Sequence, residues 1–245
     1  MNKLENYDIS FISTNENLEI VNVELEPKEE ALRLLTKDNL FNSTENPFKK
    51  KGLASDFLKG HLIAALADLR GVPFFVETGT YLADTLLVVS PCFLYNWSVE
   101  GEEVFYRHSR VRTTYPIRKN VKIFLGDSPD VLPEILSEID EHESADKRCV
   151  FFLDAHYSGK AGISSDLDNP ETDTYTSEKY DKCPLLQEIE QIKNHDCRDH
   201  LIMIDDIRMC STPGWPTINE LLGSLLDLNP KFSFKYSLQT DILII

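Results

Sequence analysis

Five short, largely apolar segments of this chain, FFVE, LYNWSVE, VKIFLGD, CVFFLD and LIMIDD, each run into an acid, and stretches with helical spacing separate them. Strands that are apolar on both faces belong in a parallel sheet covered by helices on both sides, because a strand with one wet face alternates polar and apolar residues. The pattern predicts an α/β fold with a doubly wound, mostly parallel sheet, whose ligand crevice lies beyond the carboxyl ends of the strands. That topology gathers Glu77, Glu100, Asp127, Asp154, Asp205 and Asp206 along one edge. Like charges so gathered repel one another unless cations, donors or solvent intervene.

The intervening segments carry helix signals. Leu53, Phe57, Leu62, Leu66 and Leu69 recur at helical spacing before Gly71 and Pro73 stop the run. Ser128 is expected as the cap of a helix whose first position is Pro129, with Asp127 sharing the capping, and Thr217 with Glu220 forms a capping box. Near the C-terminus, FSFKYSL and DILII flank the short QTD and read as an antiparallel hairpin. Two regions are less regular. Residues 1–52 hold a helix-like PKEEALRLLTKDNL and are expected to cap the sheet or mediate a homodimer. A polar, acidic insertion at 158–183 follows the fourth strand and is expected to act as a lid over the domain formed by 53–245.

Charge and cysteine usage narrow the partners. With 41 acids against 25 bases the formal charge is −16, which repels polyanions and disfavours nucleic acid as a partner. No apolar run approaches the length of a membrane span, and the acidic start lacks the order of a secretory signal, so a cytoplasmic protein without membrane contact is expected. The five cysteines are scattered and lack a CxxC pair, which reads as reduced thiols. His195, Cys197 and His200 in HDCRDH could ligate zinc, but a structural site needs further ligands that the sequence does not supply.

The stretch FFVETGTYLADT joins strand to helix through Gly79. It lacks the GxGxxG set that brings a pyrophosphate onto a helix, so a cofactor without phosphate fits better. Taken together, VETGTYLADT, VEGEEVF, LGDSPDVLPEIL, LDAHYSG, CPLLQEIEQI and LIMIDD resemble a class I S-adenosylmethionine (SAM)-dependent methyltransferase of the small-molecule O-methyltransferase kind, from Leu53 to the C-terminus. The resemblance implies a seven-stranded Rossmann-like sheet with an antiparallel last strand, and SAM as cofactor. It further implies that Glu77, Thr78, Gly79, Thr80 and Tyr81 meet the methionine end of the cofactor, that Glu100 with Gly101 meets the ribose, and that Asp127 with Ser128 meets the adenine. Thr80 and Ala83 stand where the family often has glycine.

At the acceptor end, Asp154 and His156 follow the fourth strand and Asp205 and Asp206 the fifth. A hydroxyl acceptor must lose a proton, so a base or a metal has to help. His156 is the candidate base, and Asp154 is counted with the catalytic and cofactor-binding residues. Asp154, Asp205 and Asp206 suit an oxygen-seeking cation such as Mg2+, or else cap turns and face solvent without one. Tyr157 is a candidate acceptor contact. The segment DAHY stands in place of the Pro-Pro-aromatic motif of enzymes that methylate nucleic-acid amines, which favours a small-molecule acceptor: a sugar, phenol or natural-product hydroxyl first, an amine next, with a protein side chain left open. Two other readings remain, a metal-dependent sugar-nucleotide transferase using the Asp pair and a catalytically silent binding module.

Overall fold

A computed structural model of the chain describes residues 9–14, 20–23, 56–114, 118–156, 182–237 and 240–245. Strands β1 (Ile9–Thr14) and β2 (Ile20–Val23) come first. Alternating elements follow: α1 (Asp56–Arg70), β3 (Phe74–Thr78), α2 (Asp84–Val89), β4 (Tyr95–Glu100), α3 (Glu103–Thr114), β5 (Val121–Leu125), α4 (Ser128–Glu141) and β6 (Cys149–Leu153). The chain continues through α5 (Leu185–Lys193), β7 (Leu201–Ile204), α6 (Ile218–Leu228), β8 (Phe234–Ser237) and β9 (Ile242–Ile244).

The strand order is β2-β1-β8-β9-β7-β6-β3-β4-β5. All seven strands read from the sequence are present, with β9 antiparallel to both β7 and β8. Two strands from the N-terminal extension widen the sheet to nine: β1 lies parallel to β8, and β2 antiparallel to β1. The helix-like segment at 27–40, most of the acidic insertion and Tyr157 lie outside the described residues.

Side chains of β3, β6 and β7 are buried throughout, as the apolar runs require. Strand periodicity sends alternate residues to opposite faces. Phe74, Val76, Phe151, Leu153, Ile202 and Ile204 pack in the core beneath α4, α5 and α6. Phe75, Val150, Phe152, Leu201 and Met203 pack with Leu62, Ile63 and Ala67 of α1. The buried stripe of α1 runs through 62, 63 and 67, so Leu69, expected inward, points to solvent at 80 % exposure. The Thr217/Glu220 capping box is present on α6. Among the described residues no helix is long and apolar enough to cross a membrane.

Candidate functional site

Strand order reverses between β3 and β6, because β4 and β5 extend the sheet on one side of β3 while β6 and β7 extend it on the other. This switch point is where the chain has to be thinnest. Gly79 follows β3 at φ +85, and a Cβ there would lie 2.5 Å from the Asp154 carbonyl oxygen. Glycine is thus required by the meeting of two strand ends of the protein itself. Just before it, Glu77 is buried and accepts a 2.7 Å hydrogen bond from Ser98 Oγ, which in turn lies 2.6 Å from Thr80 Oγ1. Glu77 and Ser98 are register partners on neighbouring strands, so their side chains share one face.

Glu100, at the end of β4, is 6 % exposed, and both of its oxygens are held by backbone donors: Oε2 by Tyr81 N–H at 2.7 Å and Oε1 by Glu102 N–H at 2.8 Å. Burial raises it above the usual carboxylate range, and those donors oppose the rise. The structure therefore brings Glu77, Thr78, Gly79, Thr80, Tyr81, Glu100 and Gly101 around one turn. Tyr81 takes an unusual φ of 45 and packs its ring 4.7 Å from that of Phe105.

Ser128 has another task than capping. Asp127 occupies the cap position of α4 without a side-chain cap bond, and Ser128 Oγ hydrogen-bonds Glu188 Oε1 from α5. Glu188 also accepts a side-chain bond from Thr78, so one buried carboxyl ties the ends of β3 and α4 to α5. Burial pushes Glu188 up to about 7, with the two hydroxyls pulling the other way. A carboxyl whose folded pKa exceeds its ordinary 4.5 contributes stability below that value and loses it as pH rises through 7. The difference amounts to about 3 kcal/mol. Glu188→Gln keeps the shape and removes the ionisation. In urea titrations it should match the parent near pH 4.5 and exceed it in stability at pH 8; equal stability at both would leave Glu188 without that strain.

On the acceptor side, strand parity separates the two consecutive aspartates. Asp205 shares the face of Leu201 and Met203, where Lys59 of α1 pairs with its Oδ2, while its Oδ1 accepts from Asp206 N–H at 2.9 Å. Against its burial, Lys59 is held protonated by Asp205 and by the charges of Asp154 and Asp206. A lysine so held is no base. Asp206 turns away at φ 53, and its Oδ2 lies 3.0 Å from His156 Nε2 while its Oδ1 pairs with Arg208. Burial works against ionisation of Asp206, but the His156 bond and the Arg208 charge outweigh it and hold the carboxyl at about 2. Arg208 is anchored in turn by Asp241, which also accepts from Tyr236 Oη at 2.5 Å.

His156 Nδ1 lies 3.4 Å from Asp154 Oδ1. Burial, and behind it the Asp205 charge, raises Asp154 well above the usual carboxylate range. The expected metal trio of Asp154, Asp205 and Asp206 is not what the geometry assembles. Donor atoms of Asp154, His156 and Asp206 lie within 4.8 Å of one another, so His156 replaces Asp205, whose carboxylate is committed to Lys59. Two carboxylate oxygens and one imidazole nitrogen fit a divalent cation, with a leaning toward manganese, iron or zinc over magnesium.

A shallow, narrow cleft opens beside this group. Leu153, Leu185, Ile204 and Trp215 form its apolar walls, and Asp154, His156, Glu188 and Asp205 its polar end. Lys59, Glu188, Arg208, Trp215 and Asp241 had no motif to announce them. Lys59 and Glu188 sit on helices where a charged residue ordinarily faces water. At the opposite end of the strands, His195 Nδ1 lies 3.0 Å from His200 Nε2, His195 Nε2 lies 3.0 Å from Asp140, and His200 Nδ1 accepts from Cys149 N–H. The histidines read as zinc ligands thus bond one another and the chain.

No family model matches the chain, and no curated protein matches it in sequence. It is similar in structure to the SAM-bound O-methyltransferase TomG of Streptomyces achromogenes, involved in tomaymycin synthesis. That similarity has a TM-score of 0.50 and 15% sequence identity, over 91% of this chain and 90% of that one. An O-methyltransferase from Bacillus cereus in complex with S-adenosylhomocysteine (SAH) matches at a TM-score of 0.48 and 13% identity, over 91% and 90% of the two chains. Strand order, the antiparallel last strand between β7 and β8, and the TomG likeness agree: the chain has the Rossmann-like fold of the class I SAM-dependent methyltransferases.

Proposed function

We propose that this protein transfers a methyl group from SAM to a hydroxyl of a small-molecule acceptor. The observation that carries the reading is Glu100, a buried carboxyl fixed by the backbone donors of Tyr81, Gly101 and Glu102 beside the Gly79 turn, at the end of the strand next to the switch point. A carboxylate offers about four lone-pair sites, so Glu100 can accept from a ribose hydroxyl in addition to its backbone donors. Glu77, buried beside that turn and accepting from Ser98, is the carboxylate placed to meet the cofactor's amino group. The absence of a pyrophosphate-binding glycine set and the charge of −16 weigh against a dinucleotide and against nucleic acid.

Displacement at the sulfonium methyl needs the acceptor oxygen in line, so positioning supplies much of the rate. Because Asp206 stays ionised and accepts from Nε2–H, the His156 nitrogen able to take a proton is Nδ1. The second reading, favoured by the convergence of Asp154, His156 and Asp206, is that these three hold a divalent cation, which would acidify the acceptor hydroxyl.

Isothermal calorimetry tests the cofactor half. SAM and SAH should bind, while NAD and UDP-sugars should not. Glu100→Ala should weaken SAH about tenfold or more, since each charge-assisted bond contributes about 1.5 to 3 kcal/mol. UDP-sugar binding without SAH binding would favour the sugar-nucleotide transferase, and binding of neither would leave a silent module.

A further inference from the structure

Resting on the methyltransferase reading, we infer that Arg112 of α3 is a positioning residue for the cofactor: it holds the turn at 79–83 in its binding shape before SAM arrives. The turn is costly to hold. Gly79, Tyr81 and Ala83 have φ of 85, 45 and 63, a left-handed backbone that residues with a Cβ adopt only when their surroundings impose it. Ala83 takes the cap position of α2 with no side-chain cap bond, and it belongs to the buried cluster of Leu86, Val89 and Phe93.

The first half of the turn is held from β4. Gly79 and Thr80 donate their N–H groups to Val99 O at 2.9 and 3.1 Å, and Tyr81 donates to Glu100. The second half is held from α3. Phe105 and Arg112 are two helical turns apart, and so share the face that buries Ser109 and Thr113. Arg107 and Arg110 of the same helix are exposed: Arg107 pairs with Glu103, and Arg110 lies over the Tyr106 ring. Arg112 turns inward instead. Its Nη1 donates to Leu82 O and pairs with Asp84 Oδ1 at 2.7 Å. Those two acceptors flank Ala83, so one guanidinium nitrogen closes over the left-handed residue and keeps its neighbours together. The Tyr81 ring packs on Phe105 of the same helix. Glu100 ends β4 directly before α3, so the carboxyl that accepts Tyr81 N–H and the guanidinium that holds Leu82 belong to one continuous unit.

Without Arg112, Ala83 can relax toward negative φ, and Tyr81 N–H spends part of its time away from Glu100. Apparent affinity for the cofactor then falls with the fraction of molecules that keep the turn, although no cofactor contact has been removed.

Amide exchange in the free protein reads the turn directly. Arg112→Ala should speed exchange of Tyr81 N–H about tenfold or more, while Val76 N–H in the middle of β3 keeps its parental rate. By calorimetry, Arg112→Ala should bind SAH about tenfold more weakly, and Arg112→Lys about threefold, since lysine keeps a charged donor. Arg107→Ala, on the exposed face, should match the parent. Adding Ala83→Gly to Arg112→Ala should recover most of the loss, because glycine takes a φ of 63 without the Cβ penalty. Should Arg112→Ala melt well below the parent, Arg112→Lys and the double variant carry the comparison. Parental Tyr81 exchange or parental SAH affinity in Arg112→Ala overturns the clamp, and so does a double variant that recovers nothing. If the parent itself binds no SAH, the methyltransferase reading falls, and Tyr81 exchange still decides whether Arg112 holds the turn.

Discussion

Replacing His156 with alanine should lower methyl transfer by roughly 10²- to 10⁴-fold, the span that a positioned acid or base contributes, while leaving SAH affinity within about twofold, since the lost interaction belongs to the acceptor half of the site. Asp206→Asn should fall between the variant and the parent. The amide still accepts from Nε2–H, but it no longer stabilises the imidazolium that forms on proton transfer. Turnover is followed as SAH produced with an accepted hydroxyl substrate. Chelation separates the two roles open to the histidine. Full activity in EDTA leaves His156 as the base; activity lost to EDTA and restored by manganese assigns it, with Asp154 and Asp206, to a metal. An alanine variant with parental turnover, with or without EDTA, would remove His156 from the chemistry.

Gly79→Ala should be severely destabilising. The added carbon would sit 2.5 Å from the Asp154 carbonyl oxygen and 2.8 Å from its carbonyl carbon, which are backbone atoms and cannot swing aside. Relief requires the ends of β3 and β6 to part, yet they are tied by Asp154 N–H to Thr78 O at 3.1 Å. The φ of +85 adds about 1 to 2 kcal/mol for any residue with a Cβ. With the clash, the total should exceed about 3 kcal/mol. Gly71 is the control: it also has positive φ, +61, but nothing lies within 4 Å of the position its Cβ would take. Gly71→Ala should therefore cost only the backbone term, about 1 kcal/mol. Urea melts of the two variants give the comparison directly, and equal losses would mean that β3 and β6 can separate at no cost. SAH binding should vanish in Gly79→Ala, because the turn that carries Tyr81 N–H to Glu100 would move with the strand.

Much of the site is visible in residue order because the rule behind it is local. A strand ends where its apolar run ends, and in a parallel sheet all such ends lie on one side, so Glu77, Glu100, Asp154 and Asp206 could be placed at a common edge from sequence alone. Parity could have carried this further. Asp205 stands two residues after Met203 and four after Leu201, on the face toward α1, and that already separates it from Asp206. The two N-terminal strands were harder. ISFIST and IVNV are short and lie among polar residues, and the partner of β1 is β8, with Ile9 opposite Phe234.

What the sequence by itself determined is the set of elements, their alternation, the hairpin at the end and the row of carboxylates, all of them consequences of periods of about two and 3.6 residues along the chain. Which carboxylate does what was decided only by tertiary structure. Asp205 and Asp206 are neighbours of the same chemical type, yet one meets Lys59 from 146 positions away and the other meets His156 and Arg208. Ser128 and Thr78 look like a cap and a strand end until Glu188 arrives from a helix 60 residues after Ser128 and binds both. The physical reason is the range of the forces. Burial patterns are written in each segment, whereas the charge state of a buried acid depends on whichever cation, donor or void packing brings within a few ångströms of it.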